Sequence, residues 1–168
     1  HILHVVYGTG ANGKSTLTEA MIGLLGYYAM MAAPGLLLRK RNEQHPTERA
    51  ALWGKRLIAC METGEGRRLD EELVKQLTGN DTITARFMRA DFFSFKPTHK
   101  LLLGTNHKPE VRGTDHAIWR RIQLWPFTVT IPDARQDREL PDKLKTEWPG
   151  ILRWCVDGCL EWQQVGLA

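Results

Sequence analysis

Short apolar runs alternate along the chain with stretches of helical period. Residues 2–7 are mostly apolar, with β-branched and aromatic positions, and end at Gly8 and Gly10, which predicts a buried strand. A chain that opens directly on a strand is expected to be a domain excised from a longer protein. Leu17, Ala20, Met21, Leu24 and Leu25 then recur at i, i+3, i+4, i+7 and i+8, the spacing of an amphipathic helix, with Gly26 as its stop. Pro46 suits the first turn of a second helix running through Leu52. Residues 57–61 predict a second strand ending at Glu62, and Asp70 caps a helix that carries Leu73, Val74 and Leu77 and stops at Gly79. Residues 82–87 and 92–96 read as two strands around a polar turn at 88–91. A third buried strand at 100–103 leads into Gly104-Thr105-Asn106, and a short helix over 115–121 precedes a strand at 122–127. The tail over 149–165 is helical, with Ile151, Cys155, Cys159 and Trp162 on one stripe. Strands alternating with helices predict an α/β layered domain with a mainly parallel sheet.

Length and charge narrow this picture. The 168 residues suit one domain, so 1–168 is read as a single unit with a helical tail from about residue 139. With 42% hydrophobic and 25% charged residues, the chain has the balance of a folded globular protein. No apolar run approaches the ~20 residues needed to cross a bilayer, and residues 2–7 are too short for the core of a signal peptide. Lys plus Arg exceed Asp plus Glu by 23 − 19 = 4, which permits a polyanionic partner without demanding one. Three cysteines (Cys60, Cys155, Cys159) cannot build a disulfide framework and point to a reducing compartment. Cys155 and Cys159 are expected as small core-facing thiols, because no second Cys or His pair stands at zinc spacing.

The chemistry begins at Gly8-Thr9-Gly10-Ala11-Asn12-Gly13-Lys14-Ser15, a Walker A pattern between a strand and a helix. Its glycines let the backbone curl so that successive N–H groups face a polyphosphate, and the following helix aims its positive end at the same point. Lys14 is expected on the β/γ-phosphates and the Ser15 hydroxyl on Mg²⁺. The loop and Thr16 after it are therefore the predicted nucleotide site. A loop that hydrolyses its nucleotide needs an acid near the metal and a base for water. Glu62, at the end of its strand, and Glu65, across Thr63-Gly64, are the candidates; Met61 occupies the place where a second adjacent acid is usual, which leaves open which of the two is the base. Asn106, just past the third strand, suits a side chain that donates to a γ-phosphate oxygen and orients the attacking water.

Basic residues interleaved with aromatics run through 83–96, including Arg86, Arg89, Phe92 and Lys96. That mixture suits single-stranded nucleic acid, with charge for phosphates and rings for stacking. Arg120-Arg121, entering the last strand, are candidates for an arginine delivered to a neighbour's γ-phosphate.

Taken in order, the motifs at 8–16, 56–62, 66–70, 74–79, 95–97, 105–109 and 119–121 resemble those of superfamily 3 helicases. The similarity is closer to the phage and plasmid primase–helicases and the poxvirus primase–helicase, and it extends to a tail like Gly150-Ile151-Leu152-Arg153-Trp154. It implies a modified AAA+ P-loop fold with a protruding β-hairpin, ring hexamers, Mg-ATP sites between subunits, and a hairpin that tracks single-stranded DNA through the pore. On that mapping Lys14 and Ser15 hold Mg-ATP, and Glu62 is the Walker B acid and a metal ligand. Asn106 is sensor 1, Arg86 and Arg89 belong to the pore hairpin, and Arg120 or Arg121 is the finger. The family also carries a primase region and a helical collar before this domain, so the chain alone is expected to turn over ATP poorly and to stay monomeric. A bacterial cytoplasm, with a phage or plasmid as the encoding replicon, is the expected setting. Two other readings compete: a P-loop kinase, and a nucleotide-gated DNA-binding module without hydrolysis.

Overall fold

The computed structural model describes residues 2–39, 46–62, 64, 66–113 and 115–166, so Glu65 lies outside the described residues. The strands are β1 Leu3–Tyr7, β2 Ala29–Met31, β3 Leu57–Glu62, β4 Ile83–Ala85, β5 Phe93–Phe95, β6 Lys100–Thr105 and β7 Ile122–Pro126. Five of them form one wholly parallel sheet in the order β2-β3-β6-β1-β7, while β4 and β5 pair antiparallel as a separate hairpin. The helices are α1 Lys14–Leu25, α2 Pro46–Ala50, α3 Glu71–Thr78, α4 His116–Trp119, α5 Leu140–Thr146 and α6 Trp148–Val165.

Central parallel strands are covered on both faces, which is why their sequences are almost continuously apolar. Alternate side chains divide the core accordingly. Leu3, Val5, Ile58, Cys60, Leu101 and Leu103 face one layer with Leu73, Val74 and Leu77 of α3. Val6, Leu57 and Leu102 face the other, against Met21, Ile22 and Leu25 of α1. The Asp70 carboxylate accepts the Leu73 N–H at 3.0 Å and so caps α3 as its sequence requires. Between the hairpin and β6, His99 is buried, and that burial pushes its pKa down to about 4. No helix among the described residues is long and apolar enough to cross a membrane.

Four expectations change. The inward face of α1 is set by Lys14 and Thr18, with Met21, Ile22 and Leu25 partly buried, whereas Leu17 is 40% exposed. The loop preceding α1 fixes the phase of its first turn by turning Lys14 inward, and that rotates Leu17 out. The hairpin strands are shorter than predicted, leaving 86–92 as the connecting loop. Strand β2 has no counterpart in the sequence pattern, because three residues carry no period, while the helical tail expected from about residue 139 divides into α5 and α6. Cys155 and Cys159 are exposed, not core-facing. Helix α6 meets the body near its start, where Trp148 packs so closely on Gly23 that a Cβ there would come within 2.6 Å of the indole, and no residue of α6 is buried.

Candidate nucleotide site and basic hairpin

Strands β3, β6 and β1 end level with one another: Glu62 pairs with Thr105, and Thr105 with Tyr7. Neighbouring strands are ~4.8 Å apart, so Glu62, Asn106 and the loop after Tyr7 leave the sheet side by side. This is the carboxyl edge, where open α/β sheets bind ligands. A cleft of about 330 Å³ opens there between residues 10–16 and Met61, Glu62, Gly104, Thr105 and Asn106.

The loop is tightly curled, with positive φ at Gly10 (111°), Ala11 (45°) and Gly13 (85°). Such a curl forms the concavity of backbone N–H groups that suits an anion. Helix α1 starts directly after it with no side-chain cap and no acidic residue in its first turn, so the first backbone N–H groups stay free for a ligand. Gly8 contributes differently. A Cβ there would collide with the Phe127 carbonyl and the Asn12 amide, and the Gly8 carbonyl itself accepts from Lys14 Nζ at 2.6 Å. Thr9 is exposed and does not line the cleft, whereas Ser15 and Thr16 do.

Lys14 is only 5% exposed, and burial lowers its pKa from the ordinary lysine value. Its ammonium is held by Gly8 O and by Asn12 Oδ1, the latter at 2.9 Å. Across the cleft, Glu62 is half-buried and its Oε1 accepts the backbone N–H of Gly35 at 2.6 Å. Met61, in the place of a second acid, forms apolar wall: its thioether lies so close to Gly104 that a Cβ there would collide with it. Burial and the Glu62 charge push the Cys60 thiol up to about 12, which makes it an inert core group. Sequence reasoning missed Gly35, and also Phe127 and Ile131, whose segment straps the loop through Phe127 N–H to Tyr7 O (2.8 Å) and Ile131 N–H to Ala11 O (2.7 Å). These contacts are made by main-chain groups, which leave no side-chain signature to read.

The hairpin loop is solvent-facing throughout: Arg86, Phe87, Met88, Arg89 and Phe92 are all exposed, as is Lys96 beyond β5. Its base is aromatic. Phe87 stacks on Phe93 (5.4 Å between centroids), Phe93 on Phe95 (5.8 Å), and Trp53 meets Phe93 edge-on (5.5 Å). Arg86 lies 4.9 Å over the Phe92 ring, and Arg89 takes a left-handed turn at φ 59°.

The arginine pair is not in the cleft. Arg121 O accepts the Leu3 N–H at 2.6 Å, level with the start of β1, while the glycine-rich loop follows the other end of that strand. Six residues at ~3.3 Å each separate them by about 20 Å. There Arg120 and Arg121 line a second cleft of about 410 Å³ with Gly79 and Asn80. Arg120 is exposed, while Arg121 is half-buried and donates to Ala117 O at 2.6 Å.

A family profile described as a family of unknown function (DUF5906) matches residues 6–121. The chain belongs to that family. Named relatives of this DUF5906 chain come from large DNA viruses. This chain is 33% identical over 126 residues to a "Putative helicase" of Acanthamoeba polyphaga mimivirus, covering 74% of the chain and 13% of the relative. It is 28% identical over 149 residues to a second protein of that name from Invertebrate iridescent virus 6, covering 84% and 15%. It is also 28% identical over 138 residues to a "Putative primase" of African swine fever virus, covering 79% and 14%. The DUF5906 chain thus spans about a seventh of the length of these relatives. Among solved structures, the apo C-terminal region of NrS-1 superposes with a TM-score of 0.66 at 13% identity, over 89% of this chain and 35% of that one. The α/β fold expected from the motifs holds, and the resemblance to viral helicases and primases agrees with the names of these relatives.

Proposed function

We propose that this domain is the ATPase motor of a replicative helicase that moves on single-stranded DNA. The observation that carries the proposal is the division of the sheet. The phosphate loop, Glu62 and Asn106 gather at its carboxyl edge, and the arginine pair stands about 20 Å away at the other end. A kinase closing on a small acceptor has no use for arginines so placed, whereas a subunit that completes its neighbour's site requires them on an outer face.

The residues fit Mg-ATP. The curled loop and the uncapped start of α1 suit the phosphates, and Lys14 holds a buried positive charge beside them. Among the described residues no group of three or more His, Cys, Asp or Glu could hold a metal ion. Mg²⁺ here therefore relies on phosphate oxygens together with the Ser15 hydroxyl and the Glu62 carboxylate. When bound, the ion neutralises charge on the β/γ oxygens. Glu62, or Glu65 beyond it, takes a proton from the attacking water while the Asn106 amide orients that water. Arg120, the more exposed of the pair, is the better placed to reach the γ-phosphate of the next subunit. The exposed arginines and rings of 86–92 present charge and stacking faces to a single strand.

The test is steady-state ATP turnover, with and without single-stranded DNA, on this chain and on a longer chain of the kind its viral relatives have. Turnover that rises with DNA supports the motor. Phosphate transfer to a small molecule with no response to DNA would favour the kinase, and nucleotide binding without any turnover would favour the gated module.

A further inference from the structure

Beneath the phosphate loop one amide side chain joins two structures. Asn12 Nδ2 donates to the Phe127 carbonyl at 2.9 Å, and Asn12 Oδ1 accepts from Lys14 Nζ at 2.9 Å. The orientation of the amide is fixed by its partners, since an ammonium only donates and a carbonyl only accepts. Phe127 is itself fixed, because its N–H continues the β1–β7 ladder by donating to Tyr7 O at 2.8 Å.

We propose that Asn12 is a positioning residue for Lys14, holding the ammonium in its phosphate-ready place by anchoring it to the end of β7. This rests on the nucleotide reading of the cleft. A lysine ammonium is a point charge on a flexible stem with three donors. Gly8 O and Asn12 Oδ1 take two of them, which leaves one for a phosphate oxygen. A lysine already held this way loses little freedom when the ligand arrives, and that preorganisation is what Asn12 supplies.

The position has narrow chemical demands. Aspartate can accept from Lys14 but has nothing to donate to Phe127 O, and its charge would neutralise the ammonium meant for the phosphate. Alanine does neither. The collision a Cβ at Gly8 would make with both Asn12 and the Phe127 carbonyl marks the same junction from the other side.

The experiment is a double-mutant cycle in Mg-ADP affinity, measured by calorimetry on the full chain, with thermal unfolding to confirm that each variant is folded. Asn12→Ala and Asn12→Asp should each raise Kd on the order of tenfold, the effect of one hydrogen bond to a charged group. In a Lys14→Met background the same Asn12→Ala change should alter Kd less than about twofold, because the residue it acts through is gone. An equal loss in both backgrounds overturns the proposal and makes Asn12 a support of the loop alone; so does no loss in the unmutated background. If Asn12→Ala does not fold, the uncharged Asn12→Ser, whose shorter side chain cannot bridge both partners, carries the cycle. Failure of the unmutated chain to bind Mg-ADP is a separate outcome: it removes the nucleotide reading, and the role of Asn12 with it.

Discussion

On the proposed reading Glu62 serves two purposes, and two substitutions can separate them. Its Oε1 accepts the N–H of Gly35, a buried residue, at 2.6 Å, and its carboxylate faces the phosphate loop across the cleft. Glu62→Gln keeps an acceptor of the same shape, so the bond to Gly35 persists while the basic, metal-binding charge is lost. Glu62→Ala removes both and leaves a buried N–H without its partner, at a cost of ~1–3 kcal/mol. A domain of this size shifts by about 2–4 °C in Tm per kcal/mol, so Glu62→Ala should unfold ~2–12 °C lower, with Glu62→Gln close to the unmutated chain. In a longer, active chain both should lose ATP turnover by at least ~10²-fold, the lower end of what a positioned acid or base contributes. Differential scanning calorimetry and a phosphate-release assay on the same three proteins decide the matter. Near-normal turnover in Glu62→Gln would refute the Walker B assignment and move the role to Glu65. An unchanged Tm in Glu62→Ala would refute the structural half.

Lys14→Ala should abolish turnover and weaken Mg-ATP binding, checked by calorimetry beside the turnover assay. Arg86→Ala with Arg89→Ala should lower the salt dependence of single-stranded DNA binding by about 0.7 per lost phosphate contact, with ATP affinity retained; an unchanged slope would move the DNA contact elsewhere. In a chain that assembles, mixing Lys14→Ala subunits with Arg120→Ala/Arg121→Ala subunits should restore part of the ATPase, since an arginine finger contributes on the order of 10³–10⁵ in rate. Mixtures that exchange subunits yet stay inactive would show that the arginines act within their own chain or only structurally. His99, held neutral with a pKa of about 4 against an ordinary 6.5, keeps its full contribution to stability above pH 6.5. That contribution falls as pH drops from 6.5 towards 4, because only the unfolded chain readily takes up the proton. The loss is bounded at ~3 kcal/mol. His99→Leu should flatten the fall of Tm between pH 7 and 5.

What was readable in the sequence was what side chains encode. The apolar runs that became β1, β3 and β6 are buried on both faces and need no partner information to be recognised, and Asp70 announces α3 by its capping chemistry. The Walker A glycines declare a backbone shape that other residues rarely take. What was hidden lies in contacts between distant segments. Leu17 has perfect helical spacing, yet the loop before it sets the helix phase and turns Lys14 and Thr18 inward instead. Cys155 and Cys159 share a stripe, but a stripe says nothing about whether another element covers it. Phe127, Ile131 and Gly35 act through main-chain N–H and C=O groups, so no residue type marks them. The arginine pair was named from its place in the chain, and only the parallel register of β7 with β1 put it at the far end of the sheet.

That separation gives the domain a polarity. On the proposed reading, one end of the sheet receives a phosphate and the other end offers the charge that completes someone else's site. Two-fold pairing joins these unlike ends only when two subunits lie antiparallel side by side, and then both sites close within one pair. Head-to-tail stacking joins unlike ends at every interface, and the rotation from one subunit to the next decides whether the stack closes into a ring or climbs as an open spiral. In an open stack the last loop waits without its arginine, so closure itself switches on one further site. A break in the ring silences a single, defined position, while every other interface keeps its full complement.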